Sequence, residues 1–243
     1  MNDVRRAELA ASLAAVRDRI DAACAAAGRA RAEVRLIGVT KTFPAADAAL
    51  LTDLGLLDLA ENRDQEAGPK SAEVAALRPV AAPRWHMVGR LQRNKARSVL
   101  RWATEVQSVD SPRLADALAR AVSAARDEGE RTGPLDVLIQ VSLDDDPARG
   151  GTPIAEVPAL GAHITHTGEL RLRGVMAVAP LGEEPARAFE RLARAAERVR
   201  ADHPDAVEVS AGMSHDLEPA ITYGSTCVRV GTALLGGRGL ASP

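Results

Sequence analysis

Short apolar runs of β type alternate with helix-patterned stretches from one end of this 243-residue chain to the other. Sustained alternation of that kind is the signature of βα units wound around a parallel sheet. The runs cover residues 34–40, 56–60, 85–89, 105–109, 135–142, 172–178, 207–211 and 226–230. Between them, residues 44–54, 63–77, 91–101, 111–128, 153–166, 185–202 and 216–223 carry helical spacing or a helix-start signal. Eight strands with intervening helices predict a (β/α)8 TIM barrel filling a single domain, 1–243, and such a barrel typically takes about 250 residues. An open doubly wound sheet would normally place a glycine-rich phosphate turn after its first strand, where this chain has Thr40-Lys41-Thr42-Phe43-Pro44. An extra N-terminal helix over 3–27 carries Val4, Leu9, Leu13, Val16 and Ile20 near one face, with Gly28 as its stop. Residues 1–28 are therefore expected to pack across the barrel.

Charge and cysteine content narrow the partners. Thirty-one basic against thirty-three acidic residues leave a net charge of −2, which offers no electrostatic footprint for nucleic acid or an anionic membrane. Cys24 falls in an alanine-rich helical stretch and Cys227 in an apolar strand, so both read as small core residues in a reducing compartment. The N-terminus lacks an apolar signal core, and a cytoplasmic protein is expected. Aromatic residues are scarce, and Tyr223 is the sole tyrosine.

Lys41 sits where the run Val34-Arg35-Leu36-Ile37-Gly38-Val39-Thr40 gives way to a loop. Desolvation there lowers an amine's pKa and favours the neutral nucleophile that attacks an aldehyde. Alone, the same placement fits an ordinary solvated lysine after a strand. Two small-residue turns near the other end of the chain, Ser210-Ala211-Gly212-Met213-Ser214 and Val230-Gly231-Thr232, change the weighting. They fall after the seventh and eighth strands, where barrels often bind phosphate. Ser214 and Thr232 supply hydroxyls, Gly231 permits close backbone approach, and Arg229 is expected to project into the barrel mouth. A strand-end lysine with a phosphate cradle suggests pyridoxal 5'-phosphate (PLP).

Glu61, Asn62 and His86 are placed near the same mouth, His86 being open to two readings, a hydrogen-bonded barrel histidine or an acid/base group. His163 and His166 lack a completing metal ligand and read as a solvated helix face. Asp144-Asp145-Asp146 reads as a polar loop, because Pro147 and Gly150-Gly151 follow without the spaced ligands of a calcium site.

Taken together, Val39-Thr40-Lys41-Thr42, Ala60-Glu61-Asn62, Trp85-His86-Met87-Val88-Gly89-Arg90-Leu91-Gln92-Arg93-Asn94-Lys95, Arg173-Gly174-Val175-Met176-Ala177, Ser210-Ala211-Gly212-Met213-Ser214 and Val228-Arg229-Val230-Gly231-Thr232 resemble the pyridoxal phosphate homeostasis protein family. These are single-domain relatives of the alanine racemase N-terminal barrel. The resemblance implies that Lys41 carries the internal aldimine, that Ser214, Gly231 and Thr232 hold phosphate, and that Arg229 faces the pyridine nitrogen. It implies also that Asn62, His86 and Met213 line the pocket. Ala60, Phe43 and Arg63-Asp64-Gln65-Glu66 depart from the family's usual residues at the pocket rim.

The function implied is non-catalytic storage, buffering or delivery of PLP, by a monomer, with PLP-dependent enzymes as clients. A helix over 91–102 is one candidate docking element. The alternative is a weak PLP-dependent amino-acid racemase. That chemistry needs a second acid/base on the opposite cofactor face, and Tyr223 does not match the place of the racemase tyrosine. An arginine at the pyridine nitrogen would also weaken the cofactor as an electron sink.

Overall fold

The structure, a computed structural model, describes residues 2–80, 82–144 and 149–237. Strands β1 (Arg35–Val39), β2 (Asp58–Glu61), β3 (Arg84–Met87), β4 (Glu105–Val109), β5 (Leu135–Ser142), β7 (Leu170–Met176), β8 (Glu208–Ser210) and β9 (Cys227–Val230) pair in parallel. The sheet order is β4-β3-β2-β1-β9-β8-β7-β5, and β4 also pairs with β5, so the sheet closes on itself. It is a (β/α)8 barrel. The two-residue strand β6 (Thr152–Pro153) extends pairing at the end of β5.

Alternation along each strand divides the side chains between two compartments. On β1, Gly38 faces the helices, since a Cβ there would lie 2.8 Å from Leu56 and 3.3 Å from Leu234 side-chain carbons. Ile37 faces inward and forms a small cluster with Ala60 and Cys227, against which Val39 and Val88 pack. The larger apolar core fills the layer between strands and helices. That outer layer is built by α2 (Ala45–Asp53), α3 (Asp64–Leu77), α4 (Ala96–Val99), α5 (Pro112–Asp127), α6 (Val157–His166), α7 (Pro185–Asp202), α8 (Leu217–Thr222) and α9 (Thr232–Leu235).

The N-terminal helix α1 (Asn2–Ala26) packs on α2, α8 and α9 through Leu9, Leu13, Val16 and Ile20. Val4 differs from expectation, being 66% exposed one turn before the buried stripe begins. Arg5 instead ties this end down by pairing with Asp47 at 2.8 Å, and Arg19 pairs with Glu218. Cys24 and Cys227 are free and buried, and burial pushes the Cys227 thiol up to about 11.

The expected helix over 91–101 is not continuous. The chain runs extended through Gln92, makes a 3₁₀ turn at Arg93–Lys95 and is α-helical only over Ala96–Val99. Gly89 explains the detour, because a Cβ there would meet the Asn62 carbonyl oxygen at 2.1 Å. The loop thus leaves β3 pressed against the end of β2, and Leu91 is anchored in the core before helix begins. Similarly, the stretch expected to be helical over 153–166 opens with a strand residue and a 3₁₀ turn at Ile154–Glu156. No helix among the described residues is long and apolar enough to cross a membrane.

Candidate functional site

Lys41 occupies a tight turn at the C-terminal end of β1. The Phe43 N–H bonds to the Thr40 carbonyl at 3.1 Å, and Thr42 takes φ 69, the only positive φ at a non-glycine among the described residues. A left-handed threonine costs on the order of 1–3 kcal/mol, so the surroundings must hold this turn in place. They do so from the helix side. Lys70 on α3 reaches the Thr40 carbonyl at 2.9 Å and Glu61 at 2.6 Å, while the Thr40 hydroxyl donates to the same Glu61 oxygen at 2.6 Å. Lys70 is therefore spent on a buried ion pair. Lys41 is half-buried, follows Ile37 and Val39 on the inward face, and has no hydrogen-bond or ion-pair partner among the described residues.

The register of β1 against β9 pairs Gly38 with Val230, which brings Gly231 beside Val39, two residues from Lys41. The Ala233 N–H donates to the Ser214 hydroxyl oxygen at 3.1 Å and joins this turn to the one after β8. Accepting that bond leaves the Ser214 hydroxyl proton free to donate. Gly212, at φ 92, lets the chain turn where a Cβ would lie 2.6 Å from Ala220. Asp216 closes the loop by accepting from the Met213 N–H at 2.5 Å. The amides of Ser214, Gly231 and Thr232 make no hydrogen bond among the described residues. Two turns thus present unmatched donors to one space, the arrangement that suits a phosphate.

Arg229 is only 4% exposed and forms no ion pair among the described residues. Burial pushes its guanidinium below the ordinary arginine value, yet the group remains charged. It donates to the Ala177 carbonyl at 2.9 Å and to the Ser210 hydroxyl at 2.6 Å. From there a directional chain runs down the barrel. Ser210 donates to Gln107 Oε1 at 2.7 Å, and Gln107 Nε2 donates to Glu105 at 2.6 Å. Glu105 is also 2.9 Å from His86 Nδ1, and His86 Nε2 lies 2.9 Å from Asp58.

His86 is 1% exposed, and both ring nitrogens are engaged by carboxylates at the starts of β2 and β4. It therefore belongs to the closed end of the barrel, which corrects the expectation that it lines the mouth. Arg35 spans this layer, 2.6 Å from Glu208 and 3.5 Å from Asp58, and Arg84 reaches Asp58 at 2.7 Å. Burial would lower the His86 pKa, but its bonds to Asp58 and Glu105 outweigh that and raise it. Burial conversely opposes ionisation of Asp58 and Glu105, and their bonds to His86 prevail and lower both. Glu208 moves up, because burial and the nearby Glu105 charge outweigh Arg35.

Asn62 follows β2 toward the mouth, and its side-chain Oδ1 is buried without a hydrogen-bond partner among the described residues. Met213 is 38% exposed beside the Ser214 turn. Tyr223 lies at the far end of α8, packed on the outer core where the chain returns to the start of β9. His163 pairs with Asp116 of α5 at 2.7 Å, and no cluster of metal-ligating residues occurs among the described residues. Asp144 pairs with Arg149 at 2.9 Å, whereas Asp145 and Asp146 lie outside the described residues. Sequence reasoning missed Lys70 and Gln107, and took Ser210 only as the first residue of the turn after β8. Gln107 and Ser210 are inward positions on short strands, so alternation from Glu105 and Glu208 was the available signal; Lys70 reads as a helix surface lysine.

Comparison with known proteins places this geometry in a family. Residues 6–239 match the model for the alanine racemase N-terminal domain. The pyridoxal phosphate homeostasis protein of Mycobacterium leprae is 47% identical over 247 residues, covering 98% of this chain and 96% of the relative. That of Escherichia coli K12 is 37% identical over 241 residues, covering 98% of each. Among solved structures, PipY of Synechococcus elongatus PCC7942 with PLP bound aligns with a TM-score of 0.79 at 31% identity, over 94% of this chain and 100% of that one. Alanine racemase of Corynebacterium glutamicum, at 15% identity and a TM-score of 0.66, shares the fold over 64% of its own length. The chain belongs to the pyridoxal phosphate homeostasis protein family.

Proposed function

We propose that this protein binds PLP at the C-terminal mouth of the barrel, covalently through Lys41, and stores, buffers or delivers the cofactor without turning over amino acids. The observation that carries the reading is the unpaired Lys41 amine beside two joined turns with unmatched donors, with the buried Arg229 at the same end. When bound, PLP supplies an aldehyde for a primary amine and a dianionic phosphate for hydrogen-bond donors. The residues present fit both groups. Ser214, Gly231 and Thr232 would hold the phosphate, Asn62 offers a buried side-chain oxygen without a partner among the described residues, and Met213 gives an exposed apolar contact. Arg229, a donor with no acceptor function, would hold the ring nitrogen as a hydrogen-bond acceptor and so favour its unprotonated form.

That last feature argues against turnover, since an unprotonated ring is a poor electron sink. Tyr223 is remote from the mouth, so a second acid/base on the opposite face is not supplied from there. Delivery to PLP-dependent client enzymes in the cytoplasm, by a monomer, is the corresponding cellular proposal. Borohydride reduction of the PLP-treated protein is expected to leave a phosphopyridoxyl mass on the peptide bearing Lys41 and none in Lys41→Ala. The same adduct in the variant would overturn the site. Exchange of the α-proton of alanine in deuterated buffer should be absent or far below the common enzymatic range of about 1–10³ per second. Rapid exchange dependent on Lys41 would establish the racemase instead.

A further inference from the structure

A concavity of about 1110 Å³ opens beside the mouth, between the ends of β2, β3 and β4, and Asn62 is the residue of its lining that also borders the cofactor site. Its cations are Arg63 after β2, Arg90, Arg93 and Lys95 in the loop after β3, and Arg113 in the first turn of α5. Arg63 pairs with Glu66 at 3.1 Å. The other four make no ion pair or side-chain hydrogen bond among the described residues. Two acids lie on the same wall, each held by a neutral donor and each keeping its negative charge. Asp64 accepts from Trp102 Nε1 at 2.9 Å, and Asp110 accepts from the Ser111 hydroxyl at 3.3 Å.

This concentration is not the by-product of a basic chain, whose net charge is −2. Elsewhere arginines are repeatedly matched, as Arg5 with Asp47, Arg19 with Glu218 and Arg191 with Glu183 show. Four unpaired cations against two acids leave the hollow net positive, and converging cations focus the field there. Guanidinium forks suit phosphate oxygens in pairs.

The shape selects the size of ligand. A protein partner would need roughly 800 Å² of contact per side with aromatic or apolar anchors near its centre. Here the apolar wall residues Met87, Leu91 and Leu114 are buried beneath the cations, and no aromatic side chain lines the hollow. We infer that this hollow is a binding site for a small polyanion carrying two or more phosphate groups, separate from the cofactor cradle formed by Ser214 and Thr232.

Pyrophosphate is the probe. It is titrated calorimetrically, at fixed ionic strength, into protein whose Lys41 has first been loaded with PLP and reduced, so that the cradle is filled. Saturable uptake of one equivalent is expected, weakened at least tenfold in Arg93→Ala/Arg113→Ala with melting temperature and Lys41 adduct unchanged. Sulfate at the same ionic strength should bind far more weakly. No saturable uptake, equal binding by the double variant, equal affinity for sulfate, or binding of an oligoglutamate peptide in place of pyrophosphate would overturn the site. Failure of the cofactor reading shows separately, as a missing adduct mass. The titration then uses untreated protein: uptake sensitive to the arginine pair and insensitive to Ser214→Ala supports the hollow, and the reverse pattern overturns it.

Discussion

The two ends of the barrel are built on opposite principles. At the strand starts, Asp58, Glu105 and Glu208 each meet a cation from another strand, and His86 is locked between two of them. At the strand ends, Lys41, Arg90, Arg93, Lys95 and Arg113 lack partners among the described residues, and Asn62 holds an unpartnered buried oxygen. Unmatched groups cost stability, and the closed end is where the fold can recover it. Arg229 connects the two regimes. Its guanidinium lies at the open end, yet Ser210 and Gln107 link it to the Glu105 carboxylate below.

The largest expected effect lies at the closed end. Removing His86 leaves two buried carboxylates facing each other, and loss of one partner from a buried ionic network typically costs about 3–5 kcal/mol. His86→Ala should lose that much in urea unfolding while its folded fraction still forms the Lys41 adduct. Loss of the adduct with stability intact would reverse the assignment of the two ends. The pH dependence carries the same signature. His86 has a raised pKa, so its contribution is full below the unfolded value of about 6.5 and is lost as pH rises through the folded value. Asp58 and Glu105 are lowered, so theirs is present above about pH 4 and disappears as pH falls through their folded values. Melting temperature should therefore peak between those limits, and the alkaline decline should flatten in His86→Ala.

A smaller effect tests the open end. If Ser214 and Thr232 donate to a phosphate dianion, Ser214→Ala or Thr232→Val should each weaken PLP binding by about 1.5–3 kcal/mol, the range for charged hydrogen bonds. Pyridoxal binding should be nearly unchanged and stability little altered. Equal losses for both ligands would mean that neither side chain meets the phosphate.

What the sequence made legible follows the same division. Lys41, Arg229 and the turns at Ser214 and Gly231 could be singled out because strand ends and small-residue turns are local signals, and the barrel brings those ends to one side. The runs at 105–109 and 135–142 and the helix at 185–202 coincide with β4, β5 and α7 to the residue. The ionic layer was not legible. Asp58, Arg84 and Glu208 each look like a polar boundary residue, and only closure of the sheet shows that they gather with His86 at one end of the barrel. The same holds for Lys70, which meets Thr40 thirty residues away and Glu61 across the turn from β2 into α3. Over 91–101 helical spacing was present, but the close approach of Gly89 to Asn62 overrode it.

The smallest effect joins stability to reactivity at one residue. Thr42 holds φ 69 directly after Lys41, and glycine adopts that conformation without strain. Relief of about 1–3 kcal/mol is offset by the roughly 0.5–1 kcal/mol of extra chain entropy that glycine loses on folding. Thr42→Gly should therefore stabilise the protein by about 1 kcal/mol. The turn would then be fixed only by the Phe43 to Thr40 bond and the Lys70–Glu61 brace behind it. If the strained threonine serves to aim Lys41, the variant should form the PLP adduct more slowly, in a stopped-flow measurement of the visible band, despite its higher melting temperature. An unchanged rate with raised stability would show that the strain at Thr42 contributes nothing to the open end.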